Sequence, residues 1–287
     1  LEPGQRSFEY PGAKVHPANL RSGEPNRVST TRFTALTWIP KSLFLQFQRA
    51  ANLYFLFIAI IVCMPFSPKR WQSKVVPYVL VLTWTALKDL FEDSRRRRDD
   101  KIENSRKCWI YDMQERNFVQ MPWSGIKPGD IICTLCDEAF PADLLVVCAV
   151  GREGAFISTV NLDGETNLKL RSPPPVFQSL IDTECSEHSQ EVVRPPLPVS
   201  DIVSRLFETP LYVRLATPSA DLSDMHAAIE FGREQRCAAN CTNFVPRGCV
   251  LRNTSWMLAI VAYADKDTKA RLNSATVAGK VSSLQGA

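Results

Sequence analysis

Two uninterrupted apolar runs stand in the first third of the chain. The first, AANLYFLFIAIIVCMPF at 50–66, carries no charge. The second, VVPYVLVLTWTALKDLF at 75–91, admits only Lys88 and Asp89, near its end. Runs of this length sit at the lower bound for a helix that crosses a bilayer. With the short link 67–74 between them they predict a helical hairpin. Length alone also allows two buried helices of a soluble domain, and the flanks decide between the two. Arg95, Arg96, Arg97, Arg98, Lys101, Arg106 and Lys107 follow the second run, and Arg21, Arg27, Arg32, Lys41 and Arg49 precede the first. Lys and Arg concentrate on the cytosolic side of a membrane, so both ends of the hairpin are expected in the cytosol. The four consecutive arginines resemble a nuclear or nucleic-acid signal in composition. Beside an apolar run they are better placed to meet lipid headgroups.

The pattern changes on both sides of the hairpin. Residues 1–32 are polar and rich in Pro and Gly, which predicts an extended arm. Residues 33–49 mix apolar and polar positions around Pro40 and predict an interfacial segment leading into the membrane. From 108 onward the runs are short and bounded by turn residues, the mark of strands. Strands are expected at 108–111, 118–121, 130–136, 144–150, 156–161, 248–252 and 256–264, with a turn at Lys127, Pro128, Gly129 and Asp130. Between them, about 172–244, PPP at 173–175 and PPLP at 195–198 break regular structure. That stretch is expected to be a loop-rich insertion.

Composition narrows the function classes. A formal net charge of +4 is too small to imply nucleic-acid binding. Nine cysteines, an odd number without regular spacing, favour reduced thiols over a disulfide scaffold. Cys133 and Cys136 have CxxC spacing, and Cys237, Cys241 and Cys249 stand with His226 or His188 as a second group. The first pair lies in a strand pattern and the second group lacks standard zinc spacing, so buried thiols are preferred and no metal site is assigned.

The most specific string is NLDGETNLK at 161–169. By itself Asp-Gly is a turn signal between strands, and Glu165 would project from a loop tip. LDGETNLK is similar to the signature of the actuator domain of type-IV P-type ATPases, the phospholipid flippases. Four further stretches agree in the family's order. QFQRAANLYFL at 46–56 resembles the approach into the first span, and TALKD at 85–89 the end of the second. FPADLL at 140–145 resembles the strand before the signature loop. RGCVLRNT at 247–254, with Asp267, Thr268 and Lys269, resembles the closing strands. The resemblance runs from about Asn26 to Asn273.

The resemblance implies a membrane α-helical hairpin plus a mainly-β cytosolic actuator domain, distorted and jelly-roll-like. The implied organisation is an arm and membrane-entry segment at 1–49, a transmembrane hairpin at 50–92, an actuator at 93–273 and a divergent tail at 274–287. It implies that Glu165 positions water against an aspartyl phosphate carried by another domain. Gly164 would allow close backbone approach, and Asp163 and Thr166 would shape the loop. ATP and Mg2+ are implied as cofactors of the full-length protein, membrane phospholipids as substrates, and an accessory membrane subunit as a partner known in the family. Neutralising Arg95, Arg96, Arg97 and Arg98 would then be expected to uncouple hydrolysis from transport.

Departures from the family pattern are specific. Val62 stands where many members carry Gln or Asn near the end of the first span. Asp265 stands where the family usually has Gly. After Asn273 there is no third apolar run and no Asp-Lys-Thr-Gly string, and the chain contains no GxxxxGK[ST] loop. The chain is therefore expected to be a fragment, a truncated gene model or a splice form, and not to turn over alone. Two other readings stay open: a non-catalytic flippase-like scaffold or lipid sensor, fused to a cyclase or another module, and a membrane-anchored binding module.

Overall fold

The structure is a computed structural model and describes residues 6–10, 25–34, 37–65, 70–150, 154–180, 194–221, 224–232 and 235–274. The chain divides into two units, one formed by 28–104 and the other by 1–27 with 105–287.

The first unit is helical. α1 (Trp38–Phe47) and α2 (Ala50–Val62) follow one another with a 95° bend between their axes. Pro40 falls in the first turn of α1, where its missing N–H breaks no helical bond. α3 (Gln72–Ser105) is much longer than the second apolar run and continues through all four arginines. Glu92 pairs with Arg96 and Asp93 with Arg97, each at the i,i+4 spacing that supports a helix. No single described helix is long and apolar enough to cross a membrane; α1 and α2 reach that length and composition only as a pair broken by their 95° bend.

The polar half of α3 holds down an extended segment. Asn104 accepts the Val28 N–H at 2.8 Å and donates to the Val28 carbonyl at 2.7 Å. Asp100 accepts from the Thr30 N–H at 2.8 Å and the Thr30 hydroxyl at 2.7 Å. Asp93 accepts the Arg32 N–H at 2.7 Å, and Arg97 donates to the Phe33 carbonyl. Positions 93, 97, 100 and 104 share one helix face. Their side chains thus satisfy backbone groups of a segment, 28–33, that has no regular secondary structure of its own.

The second unit is mainly β, with three antiparallel sheets among its described residues. β1 (Arg6–Tyr10) precedes a hairpin of β2 (Lys107–Asp112) and β3 (Asn117–Pro122). There follow β4 (Ile131–Leu135), β5 (Asp143–Ala149), β6 (Ala155–Ser158), the single turn α4 (Val160–Asp163) and β7 (Lys169–Arg171). Next come α5 (Leu197–Glu208), β8 (Leu211–Leu215), β9 (Ala227–Phe231) and β10 (Gln235–Ala239). β11 (Phe244–Val245), β12 (Val250–Arg252) and β13 (Trp256–Tyr263) close the fold. The central sheet has the order β11-β5-β13-β4-β2-β3; the flanking sheets are β1-β8-β9-β10 and β12-β6-β7.

The central strands are buried on both faces, which is why β5 and β13 read as unbroken apolar runs. Leu145, Val147, Leu258 and Ile260 face a core shared with α5 and β8-β9. Leu144, Val146, Ala259 and Val261 face a second core shared with Ala155, Ile157 and Leu251. Among its described residues the 172–244 stretch is more regular than its prolines predict. It supplies one helix and three strands that cover a face of the central sheet, paired at their edge with β1. The prolines sit outside those strands. The signals were present as alternation in Leu211, Val213 and Leu215 and as helical spacing in Val199, Ile202, Val203 and Leu206. The strand expected at 156–161 ends at Ser158, and the chain turns into α4 instead.

Two buried polar residues, Asn26 and Asp143, join distant parts of this unit. Asn26 is fully buried and uses every hydrogen-bonding position of its side chain. It donates to the carbonyls of Trp123 at 3.2 Å and Pro141 at 2.9 Å. It accepts from Arg247 Nη1 and the Asp265 N–H, both at 2.9 Å. Asp143 accepts the N–H groups of Arg247 and Lys269, both at 2.8 Å. Burial nevertheless pushes its carboxyl up to about 6.

Asp265, where the resemblance leads one to expect glycine, has a φ of 48°. Its backbone is left-handed, and its Oδ1 is buried without a hydrogen-bond partner. Glycine meets that conformation without strain. Asp265→Gly is accordingly expected to stabilise the chain by about 1 kcal/mol and raise its melting temperature by roughly 3 °C. A lower melting temperature would show that the carboxylate contributes more than its strain costs.

Candidate functional site: the β6–β7 connection

The signature string forms the connection between β6 and β7, which pair antiparallel with Ile157 opposite Lys169. At the open end of this hairpin Gly154 has a φ of 129°, and a Cβ there would lie 2.3 Å from the Arg171 carbonyl oxygen. Only glycine lets the two strands approach that closely. At the other end the chain leaves β6 through buried Thr159 and makes one helical turn. The N–H groups of Leu162 and Asp163 bond to the Thr159 carbonyl at 2.8 and 3.1 Å. Leu162 packs against the second core, and Asn161 donates to the Gly248 carbonyl at 3.3 Å. The tip is thus anchored at both ends.

Gly164 ends the turn with a φ of 76°, and its N–H bonds to the Val160 carbonyl at 3.1 Å. This is the left-handed C-cap that favours glycine. A Cβ built there meets nothing within 4 Å, so the glycine is required by conformation, and the space beside it is open.

Asp163 ties the turn to the residues C-terminal to it. Its Oδ1 accepts the Glu165 N–H at 3.0 Å, and its Oδ2 accepts Lys169 Nζ at 2.7 Å. The Lys169 ammonium, followed by the Glu165 N–H, holds the Asp163 carboxyl down at about 2. Lys169 also contacts Glu165 Oε2 at 2.9 Å, and the two carboxylates raise the lysine above its ordinary value. The Glu165 side chain is 59% exposed. Thr166 is exposed as well, and no hydrogen bond of its side chain is seen among the described residues. Of the four residues that the resemblance points to, the structure joins Asp163, Gly164 and Glu165 through backbone and side-chain bonds and leaves Thr166 apart. Lys169 closes the same string, and the resemblance gives it no role; no helix spans 165–169, so its spacing from Glu165 carried no signal.

Chemically, the tip presents a carboxylate on a fixed backbone beside open space. In this unit Phe156, Val160, Leu168 and Leu170 are the large apolar side chains left exposed among the described residues. All four lie on the connection or its two strands. Cys133, Cys108 and Cys249 are buried thiols, and burial pushes Cys249 up to about 12. No group of three or more His, Cys, Asp or Glu side chains suited to a metal occurs among the described residues.

Comparison with known proteins agrees with the string. Residues 19–75 match the family model for the N-terminal domain of phospholipid-translocating ATPases. The chain is 35% identical over 263 residues to human phospholipid-transporting ATPase VA, covering 91% of this chain and 16% of that protein. It is 34% identical over 273 residues to the probable phospholipid-transporting ATPase 5 of Arabidopsis thaliana, covering 95% and 20%. It is also 33% identical over 262 residues to a guanylate cyclase of Toxoplasma gondii, covering 90% and 6%. The chain therefore spans a fifth or less of the length of these relatives. Over residues 19–75 the chain carries the N-terminal domain of phospholipid-translocating ATPases, and over most of its length it is homologous to proteins named phospholipid-transporting ATPases.

Proposed function

We propose that the chain is the first membrane hairpin and the actuator of an ATP-driven phospholipid translocase, and that its β6–β7 tip promotes hydrolysis of an aspartyl phosphate. The observation that carries this reading is the Glu165 carboxylate, exposed at the tip of an anchored hairpin beside the open space at Gly164. A carboxylate so placed can accept a proton from water and align it with phosphorus. Water oxygen bonds to phosphorus, the bond from phosphorus to the aspartate oxygen breaks, and inorganic phosphate and a free aspartate carboxylate result. The exposed apolar side chains around the tip suit a site that closes against another domain. The jelly-roll-like topology of the family's actuators is compatible with the three antiparallel sheets.

The helical unit supports the membrane half of the reading. Leu53, Phe55 and Phe57 on α2 and Leu80, Trp84 and Phe91 on α3 are all more than half exposed. A bilayer removes that apolar surface from water. Basic residues beyond both helices support a cytosolic actuator and N-terminus. Arg96 and Arg97 are already paired within α3, so Arg95 and Arg98 are the better candidates for lipid headgroups. Membrane phospholipids are the proposed substrates, with an accessory membrane subunit as a further partner. ATP and Mg2+ are the cofactors proposed for the full-length protein, by its homology to phospholipid-transporting ATPases.

The intact protein reconstituted in vesicles is expected to move labelled phospholipid between leaflets only when ATP is supplied. Absence of ATP-driven transfer would contradict the pump reading. The similarity to a guanylate cyclase favours one alternative, a pump-like membrane scaffold beside a cyclase. In that case the vesicles would show no transfer, and the protein would make cyclic GMP.

A further inference from the structure

Lys169 stands outside the loop's own scaffold. The tip is already fixed by the α4 hydrogen bonds, by the left-handed Gly164 and by the bond from the Glu165 N–H to Asp163 Oδ1. None of these involves the lysine. Its stem is fixed as the first residue of β7, opposite buried Ile157. Its ammonium reaches back and lies 2.7 Å from Asp163 Oδ2 and 2.9 Å from Glu165 Oε2. Glu165 Oε1 has no partner among the described residues.

The energetics separate two roles. The lysine, Asp163 and Glu165 side chains are 32%, 22% and 59% exposed. Ion pairs with such exposure add little to folding. They do restrict a side chain: glutamate has three rotatable bonds, and only its backbone is set by the loop. A reaction that needs a carboxylate oxygen aligned on water loses rate steeply when that oxygen wanders. The ammonium also separates two like charges two residues apart, which would otherwise drive the Glu165 carboxylate away from Asp163.

Building on the proposed role of Glu165, we propose that Lys169 is its positioning residue. Anchored on Asp163 Oδ2, the ammonium holds Glu165 Oε2 and leaves Oε1 to take the proton of the attacking water. Lys169 contacts neither phosphate nor water in this scheme and acts through Glu165 alone.

The test is phosphoenzyme decay in the intact pump, labelled with radioactive ATP and chased with unlabelled ATP. Lys169→Met is expected to slow decay about tenfold, and Lys169→Arg to stay within about threefold of the unmodified pump, because a guanidinium can bridge two carboxylates. Asp163→Asn keeps an acceptor for the Glu165 N–H and loses the ammonium anchor, so it should slow decay in the same direction. In a Glu165→Gln background Lys169→Met should add less than about twofold, the sign of two residues acting as one unit. The melting temperature of the Lys169→Met chain should stay within about 2 °C of the unmodified chain. Unchanged decay in Lys169→Met, or an equal slowing with and without Glu165, would overturn the positioning role. If Glu165→Gln alone decays at the unmodified rate, the reading of Glu165 itself fails. Those outcomes are distinct.

Discussion

Asn26→Ala is expected to destabilise the chain by about 4 kcal/mol, lowering its melting temperature by roughly 10 °C. The side chain makes four hydrogen bonds in a site closed to water. Removing it leaves two carbonyls, the Asp265 N–H and one nitrogen of the buried Arg247 without this partner. The guanidinium dominates the cost, because a buried cation that loses a polar contact finds no water to replace it. Its remaining surroundings include the face of Trp123 at 5.9 Å. Asn26→Asp is the informative companion. It keeps the acceptor for Arg247 and Asp265 but turns the two donated bonds into contacts between oxygens. It should also destabilise, though less, since its charge opposes that of Arg247. Urea unfolding of the full chain and both variants measures this. A loss below about 1 kcal/mol for Asn26→Ala would show that the arm does not depend on this residue.

Asn26 also marks the limit of the sequence. Nothing in its neighbours distinguishes it from an ordinary turn asparagine, because its partners lie about one hundred to two hundred and forty residues away in the chain. The β5 and β13 strands were legible because both faces are buried and the runs are unbroken. The α3 helix was legible only in its apolar half. Its continuation to Ser105 rests on charged residues that favour helix and pair at i,i+4, a pattern easily taken for a solvated linker. The polar ladder at 93, 97, 100 and 104 was visible as a spacing, but its partner, an extended backbone, carries no signature. The prolines hid α5 and β8–β10, although Pro196 and Pro198 flank the start of a helix, where proline is tolerated. At the candidate site the string located the loop, and the structure supplied the bond between Asp163 and the Glu165 N–H, the left-handed Gly164 and the contact from Lys169. Asp265 stood out as a departure from the expected pattern; only its positive φ shows why glycine would suit that position.

The second large effect concerns Glu165→Gln. Glutamine preserves the shape of the side chain and can still accept a hydrogen bond from water, but it cannot take up the proton as the water attacks. General-base contributions of this kind are about 100-fold or more. The exposed position of Glu165 means that the substitution leaves no buried group unpaired, so stability should change by less than about 0.5 kcal/mol. On the proposed reading phosphoenzyme formation belongs to other parts of the pump and should proceed. The measurement that tests the account most directly is therefore the lifetime of the phosphoenzyme in the intact pump, unmodified against Glu165→Gln. The account predicts that the variant forms phosphoenzyme to the same or a higher level and loses it about 100-fold more slowly. Phosphoenzyme that disappears at the unmodified rate would contradict it.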